Sequence, residues 1–273
     1  MTILPIHFFK LNFRIEHALI LLITLVVLPF NSFSQNQDLK KIQPFKKGEK
    51  LIYRIHYGPV TAGEAIFEVR DSLRNLRGRP HYYLTVNGRT LRHWDVFYKV
   101  RDYYSAAVDT STLLPTVAVR IVNEGKYSTK EKLVFYHDEA MIKSNDTNYN
   151  IEEPIFDILS AVYYGRSIDF SVLDSGMKIP VNTFFSDSLF PVGATYVGTG
   201  TVKTKLGKFR CYIVKPQLIE GRIFKGQDDM TLYISADRNQ VPLRIESAIF
   251  VGYIQADLKD FRNLRYPLKS RID

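Results

Sequence analysis

Apolar and polar residues alternate with a period of two along most of this chain. Leu51, Tyr53, Ile55 and Tyr57 alternate with Ile52, Arg54 and His56. Ala65, Phe67 and Val69 do the same against Glu64, Glu68 and Arg70, and Tyr82, Leu84 and Val86 form a third run. Successive side chains of a strand point to opposite faces, so this spacing predicts β-strands with one face buried. Gly58-Pro59, the polar stretch 74–80 and Asn87-Gly88 punctuate them. Further strands are expected at 100–108, 117–123, 129–136, 140–143, 178–185, 194–203, 209–216, 230–235, 241–247 and 251–260. Leu206-Gly207-Lys208 and Asp237-Arg238-Asn239 read as hairpin turns, and Pro242 falls at a strand entry, where a missing N–H is tolerated.

Two stretches switch to helical spacing. Thr90 is placed to cap a short helix through Leu91, Trp94 and Phe97 or Tyr98. The second helix is expected over 154–164. Pro154 suits its first position, Glu152 and Glu153 complement its dipole, and Gly165 suits its stop. Ile155, Phe156, Ile158, Leu159, Val162 and Tyr163 spread around it too broadly to be left in water, so it must plug or cover a sheet. The fold class that follows is mainly β. It is a curved antiparallel sheet, or an open or closed barrel-like arrangement, of about a dozen strands with one or two short helices.

Residues 1–34 stand apart. Lys10 and Arg14 precede an apolar run over 18–30 that ends near Pro29, and small residues follow at Ser32 and Ser34. This is the pattern of a secretory signal peptide, with cleavage expected before Gln35. The run is short of the roughly 20 residues that span a bilayer. No cysteine lies near the cleavage point, so a lipoprotein anchor is not expected. The protein is therefore read as exported to the periplasm or cell envelope of a Gram-negative bacterium. Residues 35–273 form a single β-rich domain with no membrane-spanning segment. Removing the leader takes one net positive charge with it, so the formal +9 of the chain becomes +8. Basic residues crowd the ends of that domain: five lysines between Lys40 and Lys50, then Lys259, Arg262, Arg265, Lys269 and Arg271. The stretches 35–50 and 262–273 read as basic tails, either merely solvated or drawn to anionic lipid or polysaccharide. Nucleic acid is not an expected partner in that compartment. The single cysteine, Cys211, lies in a strand pattern and is read as a buried small hydrophobe.

Several strings then stand in a telling order. Gly48-Glu49-Lys50-Leu51-Ile52-Tyr53 leads to Tyr57-Gly58 and to Ala62-Gly63-Glu64-Ala65. Asp157-Ile158-Leu159-Ser160-Ala161-Val162-Tyr163-Tyr164 and Gly207-Lys208-Phe209-Arg210-Cys211 follow, and the series ends with Asp237, Val241-Pro242-Leu243-Arg244-Ile245 and Gly252. The order resembles a family of exported bacterial proteins, domain of unknown function 3108, from about Phe45 to Phe261. The resemblance implies a β-rich envelope protein without assigned chemistry, and it hands over no catalytic residues.

Candidate chemistry is sparse. Beyond the leader the histidines are His56, His81, His93 and His137, none at metal-ligand spacing. No phosphate loop, dinucleotide fingerprint or nucleophile elbow is present, so no cofactor, metal or catalytic residue is expected. Asp228-Asp229 would point to opposite faces of a strand and read as a polar strand entry. The aromatics give the one candidate ligand-binding set: Trp94, Phe97, Tyr98, Phe156, Tyr163 and Tyr164, on or beside the two helices. They would line an apolar cavity inside the curled sheet, or simply fill its core. The functional expectation is a non-enzymatic periplasmic protein that binds an amphipathic envelope molecule (lipid or glycan) or an envelope protein. Two alternatives stay open. One is a hydrolase or transferase acting on envelope glycan or lipid, with carboxylates brought together by folding. The other is an adaptor that pairs through a sheet edge. The oligomeric state is not legible.

Overall fold

The alternating runs fold into fifteen strands among the described residues: β1 (Lys50–Tyr57), β2 (Val60–Val69), β3 (Arg74–Leu76), β4 (Arg79–Thr90), β5 (Arg101–Asp109), β6 (Pro115–Glu124), β7 (Tyr127–Tyr136), β8 (Met141–Ser144), β9 (Thr147–Asn150), β10 (Lys178–Phe185), β11 (Ser188–Thr204), β12 (Gly207–Pro216), β13 (Met230–Ser235), β14 (Pro242–Ala248) and β15 (Tyr253–Arg262). The structure is a computed structural model that describes residues 39, 41–151, 154–216, 230–248 and 253–273. The leader over 1–34, the pair Glu152-Glu153 and the pair Asp228-Asp229 lie outside the described residues. Among the described residues no helix is long and apolar enough to cross a membrane.

The strands form one antiparallel sheet made of two meanders, β1 to β9 and β10 to β15, joined where β15 returns to pair with β1. The sheet curls until its two edge strands, β9 and β10, face each other without a ladder between them. Three contacts bridge the seam. The Tyr149 ring lies 5.0 Å from Phe184. Ser144 Oγ donates to Asp187 Oδ1 at 2.6 Å. Phe156 forms a parallel bridge to Thr183, its N–H donating to the Asn182 carbonyl at 2.9 Å. Edges that meet one another do not template another chain.

The curl packs against one face of the single α-helix of the described residues, α1 (Ile158–Arg166), burying Leu159, Ser160, Tyr163 and Arg166, while Ile158 and Val162 on its other face stay exposed, so its broad apolar surface is only partly covered. It starts four residues later than the spacing predicts. Phe156 is spent on the seam, and Asp157 supplies the cap, its Oδ1 accepting the N–H groups of Leu159 at 2.9 Å and Ser160 at 3.3 Å. Gly165 does not stop the helix but lies inside it, and Ser167 closes it. The helix rests against β4, β5 and β10. Ala106 and Ala118, partners across β5 and β6, keep that floor low, and Leu159 and Tyr163 pack there with Leu84, Phe135, Ile142 and Phe184. The other expected helix, beginning after Thr90, is absent. Residues 92–97 form successive turns instead, because Thr90 ends β4 and its Oγ1 reaches forward to Asp95 and Val100 rather than capping a helix.

A second apolar cluster joins Leu51, Tyr53, Phe209, Cys211, Leu243 and Leu258. Cys211 is fully buried there, and burial pushes its thiol up to about 11.

One buried ion pair connects these parts. Arg166, at the end of α1, donates through Nη1 and Nη2 to the two carboxylate oxygens of Glu49 at 2.6 and 3.1 Å. Neither side chain is exposed beyond 3%. The rest of the guanidinium donates to the carbonyls of Gln240 at 3.2 Å and Asn239 at 3.1 Å. Gln240 answers with its Nε2, which donates to the carbonyls of Arg166 at 2.5 Å and Ile168 at 2.6 Å. Asn239 in turn holds the backbone of Tyr266 from both sides. The stretch 262–273, expected as a loose basic tail, is therefore fastened to the sheet, with Ser270 fully buried.

Two outcomes follow. Arg166→Met leaves the Glu49 carboxylate buried and unpaired, which should cost about 3–5 kcal/mol. The double variant Glu49→Leu with Arg166→Met should cost clearly less than the two single changes together. Equilibrium urea denaturation checks this, and strictly additive losses would contradict it. Asp157 supplies the second outcome. Burial, only partly offset by the cap bonds, raises its pKa from 3.8 to about 6, and its Oδ2 has no hydrogen-bond partner among the described residues. Between those values the folded chain holds a proton that the unfolded chain has lost. The contribution of Asp157 to stability is therefore full below about pH 4, falls as pH rises, and levels off above about pH 6. Asp157→Asn keeps the cap oxygen but cannot ionise. Its melting temperature relative to the parent should rise steadily from pH 4 to about pH 6.5, whereas parallel melting curves across that range would refute the assignment.

Candidate functional site

Three connections meet at one end of the curled sheet. The β4–β5 connection, 91–99, lies on the β1–β2 hairpin: Leu91 N–H donates to the Ala62 carbonyl at 2.9 Å, and Trp94 Nε1 donates to the Thr61 carbonyl at 2.9 Å. On its other side it meets the β6–β7 turn, where Gly125 N–H donates to the Lys99 carbonyl at 2.8 Å. Gly125 has φ of +59°, and the Tyr98 ring covers it so closely that a Cβ would come within 2.8 Å of a ring carbon. Gly58 N–H donates to the Tyr253 carbonyl, which brings the start of β15 to the same rim.

This rim is apolar and aromatic where it meets solvent. Val96 is 85% exposed and Phe97 78%, and Tyr57, Val60, Tyr98, Tyr127 and Tyr253 are exposed beside them. Trp94 is half-buried, its ring 5.7 Å from Phe97 and 5.9 Å from His93. Arg92, Lys99 and Lys126 are exposed around the tip and enter none of the ion pairs seen among the described residues. The acid at the tip, Asp95, is clamped by Arg101 through bonds of 3.0 and 2.5 Å.

The six aromatics singled out in the sequence thus divide. Trp94, Phe97 and Tyr98 belong to the rim. Tyr163 and Tyr164 lie on α1 and Phe156 just before it, and none of the three is brought to the rim. Phe156 packs on Tyr164 with ring centroids 4.5 Å apart, and Tyr163 meets Phe45 edge-on at 4.9 Å. Tyr163 is fully buried, burial holds its phenol well above the ordinary range, and its hydroxyl has no partner among the described residues. Val96 escaped sequence reasoning because helical spacing of 94, 97 and 98 would have turned those aromatics inward, whereas turns expose the whole tip. Gly58-Pro59 and Gly125-Lys126 were the usable signals, since they mark hairpin ends on the same side.

Elsewhere several of the polar side chains are tied into structure, although Thr85 Oγ1 and His137 Nδ1 are buried without a partner among the described residues. His81 is buried, its Nδ1 donating to the Arg79 carbonyl and its Nε2 bonded to Thr116 Oγ1. His137 donates to the Pro115 carbonyl. Two carboxylates line one small cavity beside α1: Asp157 and Glu131, the latter paired to Arg120 at 3.2 Å. At about 20 Å³ that cavity admits a water molecule, not a sugar or a headgroup. A larger cleft of about 210 Å³ opens between the strap 41–45 and the β5–β6 connection, lined by Lys41, Phe45, Tyr82, Thr110 and Leu113. Lys41 Nζ sits over the Tyr164 ring at its edge. Among the described residues no three His, Cys, Asp or Glu side chains come together as a metal site.

The fold has solved counterparts. A β-barrel-like protein of domain of unknown function DUF1849 from Brucella abortus superposes with a TM-score of 0.52 at 9% identity, covering 81% of this chain and all of its own. A candidate exported protein with a YmcC-like fold from Bacteroides fragilis gives a TM-score of 0.33 at 11% identity, covering 82% of this chain and all of its own. A candidate lipoprotein from Parabacteroides distasonis gives 0.30 at 11% identity, over 83% of this chain and all of its own. The first likeness concerns the fold alone. No curated protein matches the chain. The model of a family described as protein of unknown function, DUF3108, matches residues 52–259, from within β1 to within β15. The chain belongs to the DUF3108 family.

Proposed function

We propose that the protein works in the periplasm as a non-enzymatic binding protein. It takes an amphipathic molecule of the cell envelope on the aromatic rim formed by the β1–β2, β4–β5 and β6–β7 connections. The observation that carries this reading is the exposure of Val96 and Phe97 at a tip flanked by Arg92 and Lys99. Leaving such side chains in water forgoes about 1.5–3 kcal/mol each, a loss that an apolar partner would recover. Tyrosine and tryptophan around them offer an apolar body with a polar tip, suited to a molecule that is itself half apolar.

Two further features support the reading. The interior of the curl is filled by the buried face of α1, with Leu159 and Tyr163, and by Phe135 and Phe184, so ligand capture falls to the outside. The buried titratable groups serve the fold: Glu49 and Arg166 join α1 to the sheet, and Asp157 caps the helix. The meeting of β9 with β10 also leaves adaptor pairing through those edges without support.

Trp94 is the only tryptophan of the chain and lies in the rim. Its emission should shift to the blue and saturate on titration with monomeric lysophosphatidylglycerol. Phe97→Ser should weaken that response roughly tenfold, the worth of about half a buried phenylalanine. An emission spectrum that ignores the lysolipid would refute the reading.

A further inference from the structure

The arrangement of charge around the rim says more about its partner than its apolar content does. Val96 and Phe97 are exposed in the connection 91–99, Tyr57, Tyr98, Tyr127 and Tyr253 are exposed at the same end of the sheet, and Arg92, Lys99 and Lys126 are exposed in the same connections. Exposed apolar, aromatic and cationic side chains together are the set with which a protein meets the acyl boundary, the headgroup level and the phosphates of a bilayer. The nearby acids are withdrawn from that surface. Asp95 is held by Arg101, and Asp102 and Glu124 are half-buried against one another, burial and the neighbouring Asp102 together favouring a proton on Glu124.

We propose that the rim docks the protein onto the surface of a bilayer containing anionic phospholipid. Val96 and Phe97 enter the boundary between headgroups and acyl chains, and Arg92, Lys99 and Lys126 lie on the phosphates. The inference rests on the reading of the rim as an amphiphile-binding surface and gives that amphiphile its form: an assembled, negatively charged membrane rather than a single molecule. The connection 91–99 is short and formed of turns, so the protein lies on the membrane and does not cross it with this segment. The barrel axis then stands towards the membrane by the rim, with the cleft at 41–45 turned away from it, because the β5–β6 connection leaves the sheet at the opposite end from the β4–β5 connection.

The test uses the purified protein with vesicles of phosphatidylcholine alone and of phosphatidylcholine mixed with phosphatidylglycerol. Co-sedimentation is measured together with Trp94 emission and its quenching by lipids brominated on the acyl chain. The protein should pellet with the mixed vesicles and bind the neutral ones roughly tenfold more weakly, as three surface cations allow. Trp94 should move to the blue and be quenched. Val96→Asp with Phe97→Asp should lower binding to the mixed vesicles roughly tenfold or more, and Arg92→Glu with Lys99→Glu should erase the preference for the anionic lipid. Circular dichroism confirms that the variants fold, and the quenching measurement needs no variant. Equal binding to both vesicles, or undiminished binding of the folded Val96/Phe97 variant, overturns the proposal. So does a protein that stays in the supernatant while Trp94 still answers lysophosphatidylglycerol, an outcome that leaves the broader reading standing. Silence towards lysolipid and vesicles alike removes both.

Discussion

A bidentate ion pair shut away from water holds this fold in register. Glu49 stands at the entry to β1, Arg166 at the end of α1, and the backbone of Asn239 and Gln240 at the turn between β13 and β14. These three places are far apart in sequence; the sheet brings the first and the third near each other through the order β14, β15, β1, and the ion pair adds the end of α1 to them. Burying two charges is costly, and the cost is offset only when every donor and acceptor is met. Here the guanidinium has four bonds, and the Gln240 side chain returns two to the carbonyls that follow α1. The consequence is specificity of arrangement. The pair fixes the end of α1 to the sheet, and Asn239 fastens the C-terminal segment through the backbone of Tyr266.

That arrangement explains why weak sequence strings occur in a fixed order. Gly48-Glu49, the run from Asp157 to Tyr164, and the run from Asp237 to Pro242 are separate in the chain but meet around Arg166. Asp157 caps the helix, Tyr53 donates to the carbonyl of Pro242, and Gly48 takes φ of +80° where a Cβ would strike Asp71 and Asn263. The strings mark the joints of a scaffold.

Most of the strand pattern was legible because one face of each strand is buried, so alternation survives in the sequence. The boundaries of α1 were less so. Pro154 and Gly165 carry strong helix-end preferences, yet Phe156 is needed at the seam, and that long-range demand moves the start to Asp157. The turns after Thr90 deceived the spacing argument, since apolar residues three and four apart also suit an exposed tip. Half of the candidate aromatics consequently lie in the core and half on the rim. The cations Arg92, Lys99 and Lys126 were visible as letters, but only folding brings Lys126 beside Lys99. The crowding of basic residues at the chain ends drew attention to stretches that the structure fastens to the sheet.

The molecule has a packed interior held by the Glu49–Arg166 pair and an apolar rim that faces outward. Hydrogen–deuterium exchange with and without phosphatidylglycerol-containing vesicles tests that division most directly. Amide protection should rise in peptides covering 57–62, 91–99 and 124–127, while α1 and the strap 41–45 exchange as before. Protection that appears instead in α1, the strap or the connection 110–114, with the rim unchanged, would place the partner inside the curl and contradict the account.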